Sequence, residues 1–306
     1  MTASRNILVT GGTGNIGSAL VRRLIDSGYQ VRVLTLPEDP LKDHLNVTGV
    51  EFFYGDISNK SSLTGVCTDI DTVLHLAAVL LSDDDSLFDR VNIEGTQNIL
   101  QVASKNNVKH FIHVSSASVV YPRTTPYSLS KRVAERLVKE SGVPWTIVRP
   151  TLVYSENGGL EFNMFLDYLI KFPVIPFIGY GQALKRPVYV GDLIDAFEKL
   201  VAIPEGTGKI YNFSGKNAIS MIDFARLCLL LSGSEDKLIV NIPEWLCIIA
   251  ARLMKKFMKN PPLKWNMIAG VVQDADLDPS QTINDLGYEP HDLVEQLRQC
   301  FPRKVK

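Results

Sequence analysis

Cysteine is scarce in this chain, with four among 306 residues. Cys67, Cys228, Cys247 and Cys300 stand far apart, which argues against a disulfide framework or a zinc site. Reduced thiols and a cytoplasmic location are the expectation. Five histidines show no ligand spacing, and neither His110 nor His113 has an acidic or cysteine partner nearby in sequence, so no metal is expected. Charge of one sign is also lacking. The formal net charge is −1, and nothing global points to nucleic acid or an acidic membrane surface. Long apolar runs are missing too. Ile7-Leu8-Val9 is too short for the core of a secretory signal, and the apolar stretch from Trp245 to Met254 is broken by Arg252. No transmembrane segment is expected. There is no internal repeat and no low-complexity segment. The basic end Arg303-Lys304-Val305-Lys306 reads as a solvated terminus.

What is present is ample material for a globular core: 45% apolar and 21% charged residues. The first half alternates strand-like and helix-like segments. Strands are expected at Asn6–Thr10, Gln30–Thr35, Val50–Tyr54, Asp71–Leu76, Lys109–Ser116 and Trp145–Val148. Helices are expected at Asn15–Ser27, Leu87–Asn107 and Pro126–Ser141. Apolar strands separated by helices indicate a parallel sheet covered on both faces. The fold class read from this pattern is α/β, a Rossmann-type doubly wound sheet with a smaller, mostly helical C-terminal region. Residues 1–153 read as the dinucleotide domain, with 186–202 returning to it through a strand Pro187–Val190 and a helix Gly191–Val201. Residues 154–185 and 203–306 read as the substrate side, with a short strand at Ile210–Phe213.

The first strand runs into Gly11-Gly12-Thr13-Gly14-Asn15-Ile16-Gly17, which opens a helix. Glycines let backbone approach a pyrophosphate, and the helix N-terminus offers free N–H groups. Gly11, Thr13, Gly14, Asn15 and Ile16 are therefore candidate contacts for NAD or NADP. At the end of the second strand Thr35 stands where an acid usually takes the ribose hydroxyls, which leaves the choice of cofactor open. Asp56, followed by Ile57, either meets the adenine amino group or caps the next helix. Tyr127 and Lys131 share a helix face, and an ammonium beside a phenol favours the phenolate. Ser116 is placed to hold a substrate carbonyl or hydroxyl against Tyr127, with Ser115 and Ser118 as alternatives.

Together with His75-Leu76-Ala77-Ala78, Asn92-Ile93-Glu94-Gly95-Thr96, Ser115-Ser116-Ala117, Tyr127-Ser128-Leu129-Ser130-Lys131 and Arg149-Pro150, these motifs resemble the extended short-chain dehydrogenase/reductases, the NAD-dependent epimerase/dehydratases. The resemblance runs from residue 6 to about 200 and continues weakly at Leu286-Gly287-Tyr288. It implies a Ser116, Tyr127, Lys131 site in which tyrosine exchanges a proton and nicotinamide a hydride at one carbon. It places Lys131 on the nicotinamide ribose, Leu76, Ala77 and Ala78 beneath the cofactor, and Pro150 and Val153 beside the nicotinamide amide. The implied substrate is a small molecule, by family default a nucleotide sugar.

Two departures stand out. Only 11 positions separate Ser116 from Tyr127, and Arg149-Pro150-Thr151-Leu152-Val153-Tyr154 lacks the asparagine many sugar-nucleotide epimerases carry. The short spacing also resembles the atypical branch that includes an accessory subunit of respiratory complex I. A non-catalytic dinucleotide-binding subunit is thus the alternative to an enzyme, and a homodimer is an open assembly state. Three further features lie outside the motifs. Lys185-Arg186 reads as a phosphate contact or a solvated pair, and Asp83-Asp84-Asp85 as a solvated loop. The helix Trp245–Met258 reads as a lid, a dimer contact or an interfacial anchor, with packing against the substrate region the plainer reading.

Overall fold

In a computed structural model the described residues are 5–301 apart from 46, 157–158, 259–260 and 262. The basic end 303–306 lies outside them. The chain runs β1 (Asn6–Thr10), α1 (Asn15–Asp26), β2 (Gln30–Thr35), β3 (Val50–Tyr54), β4 (Thr72–His75), α2 (Gly95–Lys105), β5 (His110–Val114), α3 (Pro126–Glu140) and β6 (Trp145–Pro150). The second half follows as β7 (Val153–Tyr154), α4 (Leu160–Lys171), β8 (Val174–Ile178), β9 (Leu184–Lys185), β10 (Val188–Tyr189), α5 (Val190–Val201) and β11 (Ile210–Phe213). It ends with β12 (Ile219–Ser220), α6 (Met221–Leu231), β13 (Leu238–Ile242), α7 (Glu244–Phe257), α8 (Trp265–Val272), α9 (Ser280–Leu286) and α10 (Leu293–Leu297).

Seven parallel strands form the main sheet in the order β11-β6-β5-β4-β1-β2-β3. This is the doubly wound Rossmann arrangement. The order reverses between β1 and β4, and the crevice beyond their carboxyl ends is where such sheets bind ligands. Apolar side chains alternate across the sheet. Ile7 and Val9 join Leu20, Leu24, Phe197 and Leu200 on one face, while Leu8 joins Ile99, Phe111 and Val138 on the other. The central strands β1, β4 and β5 are buried on both faces, which is why Ile7-Leu8-Val9 reads as an unbroken apolar run.

Several boundaries differ from the sequence expectation. The expected helix from Leu87 begins with a wide π-helical turn, Phe88–Glu94, and becomes regular only at Gly95. That turn carries Asn92, whose side chain bonds Val79 and Ser130. The expected strand Pro187–Val190 shrinks to β10, which pairs with β7 and stays off the main sheet. Ile210–Phe213, assigned to the substrate side within 203–306, is the seventh strand of the main sheet through its pairing with β6. Leu286-Gly287-Tyr288 also returns to this core. Gly287, at φ +59°, closes α9, and buried Tyr288 donates to the Ser214 carbonyl at 3.0 Å.

A second core gathers Phe162, Phe177, Phe224, Leu229 and Leu297 from α4, β8, α6 and α10. Beside it α7 packs on α8 through Cys247, Ala251 and Ile268. Trp245, Ile249, Leu253 and Phe257 of α7 are exposed, so packing accounts for only one side of this helix. Among the described residues no helix is long and apolar enough to cross a membrane.

Candidate active site

The glycine loop ends β1 and starts α1 without a side-chain cap, and no acidic residue occupies the first turn of the helix. Among the described residues no side chain caps its leading N–H groups, which suits an anion. The loop tolerates no side chain at two decisive places. Gly11 has φ +72°, and a Cβ there would lie 2.8 Å from the Ala77 nitrogen. A Cβ at Gly17 would lie 2.1 Å from the Gly11 carbonyl. Backbone that bare, facing an uncapped helix end at the switch point, fits a dinucleotide pyrophosphate.

The strand ends that flank the loop are held by buried polar chains. His75 contacts Thr10 Oγ1 at 2.7 Å and Thr96 Oγ1 at 2.9 Å. Thr10 Oγ1 in turn accepts from the Ala77 N–H at 3.2 Å, and Asn92 holds Val79 by both main-chain groups. These bonds fix Leu76 and Ala77 against Gly11 and hold Val79 just beyond them. Pro150 ends β6 in register with Phe213, and Val153 follows on β7. Ile57 turns away: its side chain is buried in the core against Gly95. Asp56 caps its own turn, its Oδ1 accepting from the Ser58 N–H and hydroxyl at 2.8 Å each, which leaves Oδ2 uncommitted among the described residues.

The carboxylate absent at Thr35 is supplied four residues later. Thr13 of the glycine loop and Thr35 of β2 both donate to Asp39 Oδ2, at 2.7 and 2.8 Å. Burial works against the Asp39 charge, but these hydroxyls and the Leu41 N–H hold its pKa below the ordinary value. An ionised acid here suits ribose hydroxyls and repels a 2′-phosphate. Inspection of the strand end alone misses it.

The candidate reactive group lies on α3. Thr125 and Ser128 form a reciprocal capping box with Pro126 in the first turn, which fixes the helix start one residue before Tyr127. Tyr127 and buried Lys131 follow on one face, and Tyr127 lies against Phe88. Of the three candidate serines, Ser115 is committed to Glu135 at 2.6 Å. Ser118 donates to Ser116 Oγ at 3.0 Å. Ser116 is the one within reach of the Tyr127 hydroxyl, and that contact draws the phenol pKa down.

The expectation that Lys131 depresses the Tyr127 pKa is not met by this geometry. Lys131 Nζ donates to the Val114 carbonyl at 2.6 Å, at the end of β5. Tyr127 instead stands above its ordinary value, because of burial first and the Glu161 carboxylate second. Burial also lowers Lys131 to about 8, against the pull of Glu135 beneath it. Glu135 is itself clamped by Arg149 at 2.8 and 2.7 Å.

Glu161, Tyr121 and Lys185 were not recognised as one cluster from sequence. Glu161 sits in the first turn of α4 and acts electrostatically on Tyr127, Tyr121 and Lys185. Lys185 is neither a solvated pair with Arg186 nor free. It is buried, its Nζ lies 5.1 Å over the Tyr121 ring and 3.4 Å from the Tyr121 hydroxyl, and it donates to the Gln273 carbonyl. Arg186 pairs with Asp276. The acidic loop is likewise tied down, with Asp83 paired to Lys264 at 2.5 Å and Asp84 capping Ser86. The short loop between Ser116 and Tyr127 is covered by the C-terminal lobe. Gln273 bonds both main-chain groups of Arg123, and Trp265 reaches the Thr124 carbonyl.

Comparison with known proteins agrees with this architecture. The chain is 29% identical to a 3 beta-hydroxysteroid dehydrogenase/Delta 5-->4-isomerase of Mycobacterium tuberculosis, over 98% of this chain and 90% of that protein. It is 26% identical to NADH dehydrogenase [ubiquinone] 1 alpha subcomplex subunit 9, mitochondrial, of Dictyostelium discoideum, over 91% of this chain and 77% of that protein. A dTDP-glucose 4,6-dehydratase of Streptomyces venezuelae, solved with NAD and TYD bound, has the same fold. Its TM-score is 0.77 at 22% identity, covering 97% of this chain and 95% of that one. Residues 7–213 match the NAD dependent epimerase/dehydratase family, and the chain belongs to that family.

Proposed function

We propose that this protein is an NAD-dependent enzyme acting at a carbon that bears a hydroxyl or carbonyl. Three observations support the reading: Lys131 Nζ is bonded to the Val114 carbonyl at the carboxyl end of β5, Ser116 contacts Tyr127, and the glycine loop at the carboxyl end of β1 is bare of side chains. Bound nicotinamide supplies the hydride acceptor or donor. Gly11, Thr13, Gly14, Asn15 and Ile16 cradle the pyrophosphate, and Leu76, Ala77, Ala78, Pro150 and Val153 border the rest of the cofactor. Asp56 Oδ2 is free to meet the adenine amino group. Asp39 takes the adenosine ribose and favours NAD over NADP. Tyr127 moves the proton on the substrate oxygen, and Ser116 orients that oxygen. Lys131, charged below a pH of about 8, faces the nicotinamide ribose. The substrate is a small alcohol or ketone; a nucleotide sugar and a hydroxysteroid are the two classes named by the relatives.

Calorimetric titration with NAD and NADP tests the cofactor part. Tight NAD binding with weak NADP binding supports it, and the reverse order rejects the role of Asp39. A second reading, a dinucleotide-binding subunit without turnover, draws on the similarity to the complex I subunit and the short, covered loop at Arg123. The Ser116–Tyr127–Lys131 placement favours the enzyme.

A further inference from the structure

Helix α7 presents two different exposed strips. Trp245, Ile249, Leu253 and Phe257 recur every four residues, with 61%, 46%, 54% and 77% of their surface exposed, and Leu246 lies beside them. Residues at this spacing stack along one face. Arg252, Lys255 and Lys256, all exposed, run along the flank of that strip. None of the three has an ion-pair partner among the described residues. The one carboxylate of the helix, Glu244, is paired with Arg123. The opposite side, Cys247 and Ala251, is packed against Ile268, so the orientation of the exposed side is fixed by the fold. β13, which leads directly into α7, adds exposed Leu238 and Val240, and its partner β8 adds Val174.

We propose that the exposed face of α7 is a docking surface for an anionic lipid membrane. A helix of 14 residues spans about 21 Å, short of the roughly 30 Å of a hydrocarbon core, so it lies in the interface instead of crossing it. An apolar strip headed by tryptophan and flanked by basic residues that no carboxylate among the described residues neutralises is the pattern that binds such an interface. Phosphate headgroups supply the negative charge that Arg252, Lys255 and Lys256 lack within the protein. A second copy of this chain is a poorer occupant. Two-fold pairing through α7 would set these cations near their own symmetry copies with no exposed carboxylate of the helix to meet them. The net charge of −1 conceals this local excess.

The test is flotation of the full chain with vesicles of phosphatidylcholine alone and with phosphatidylglycerol added. The wild type is expected to float with the anionic vesicles and weakly or not at all with the neutral ones. The L253E/F257E double variant should bind at least tenfold more weakly, with an unchanged melting temperature because both side chains are exposed. K255Q/K256Q should lose the salt-sensitive part of the binding. Failure of the wild type to float with anionic vesicles overturns the proposal. So does a solution dimer that L253E/F257E dissolves without any vesicle binding, which would make this face a protein interface. The result is independent of the reaction catalysed.

Discussion

Lys131 directs its Nζ at the carbonyl oxygen of Val114, 2.6 Å away, and not at the hydroxyl of Tyr127 four residues earlier on the same helix. The ammonium is thereby anchored to the end of β5, with the Glu135 carboxylate favouring its charge. The acidity of Tyr127 is left to Ser116, which lowers its pKa, and to burial and Glu161, which raise it. Opposite substitutions in this set should therefore move activity in opposite directions along the pH axis.

Ser116→Ala removes the contact that favours the phenolate. The rising alkaline limb of the oxidation rate should move to higher pH, with a loss of about a hundredfold in kcat, comparable to loss of one site donor. Ser115→Ala should leave that limb in place and lower the melting temperature, since Ser115 bonds Glu135. pH–rate profiles of the two variants identify the serine. A shift in Ser115→Ala alone would exchange their roles.

Glu161→Gln removes a negative charge that opposes the phenolate. The same limb should move to lower pH. Lys185, buried and now less neutralised, should attract anionic ligands more strongly. Competition by a nucleoside diphosphate, measured in wild type and variant, reads the second effect. No change in either quantity would place Glu161 outside the site.

Asp39→Asn should weaken NAD binding about tenfold, near 1.4 kcal/mol, and narrow the preference against NADP. Thr13 and Thr35 both donate to this carboxylate, so some loosening of the loop is also expected. Equal NAD affinity in wild type and variant would remove Asp39 from the ribose site.

Three buried histidines make stability sensitive to acid. Burial holds His75 at about 3 and His110 at about 4, and it holds His113 well below the ordinary value of 6.5. The unfolded chain takes up protons below pH 6.5 while the folded chain does not. Their contribution is therefore intact above pH 6.5 and is lost as pH falls, by about 1.4 kcal/mol per unit for each histidine that protonates only on unfolding. Among the described residues neither ring nitrogen of His113 has a hydrogen-bond partner. His113→Phe should flatten the pH dependence and stabilise the fold by about 1 kcal/mol near pH 5. Denaturant melts at pH 5 and pH 7 check this; a steeper dependence in the variant would contradict it.

The sheet was largely legible because its central strands β1, β4 and β5 are buried on both faces, and apolar runs such as Ile7-Leu8-Val9 have few other uses. The glycine loop and Tyr127/Lys131 were legible because their spacing is local. Asp39, Glu161 and Lys185 were not. Asp39 reaches the glycine loop through a turn after β2, and the other two come from segments beyond residue 153 that only tertiary packing brings in, Glu161 to Tyr127 and Lys185 to Tyr121. β11 was legible as a strand but not as part of the main sheet, because its partner β6 lies 60 residues earlier across α4 and α5. The exposure of α7 had to wait for structure as well. An apolar helix reads the same whether its second side meets protein or lipid.

Tyr127 bears the central claim, and Tyr127→Phe tests it most directly. Removing one oxygen keeps the ring against Phe88 and leaves the glycine loop untouched. NAD affinity, measured by calorimetry, should stay within about twofold, while turnover of a substrate active with the wild type should fall by at least about a hundredfold. Turnover equal to that of the wild type would contradict the account.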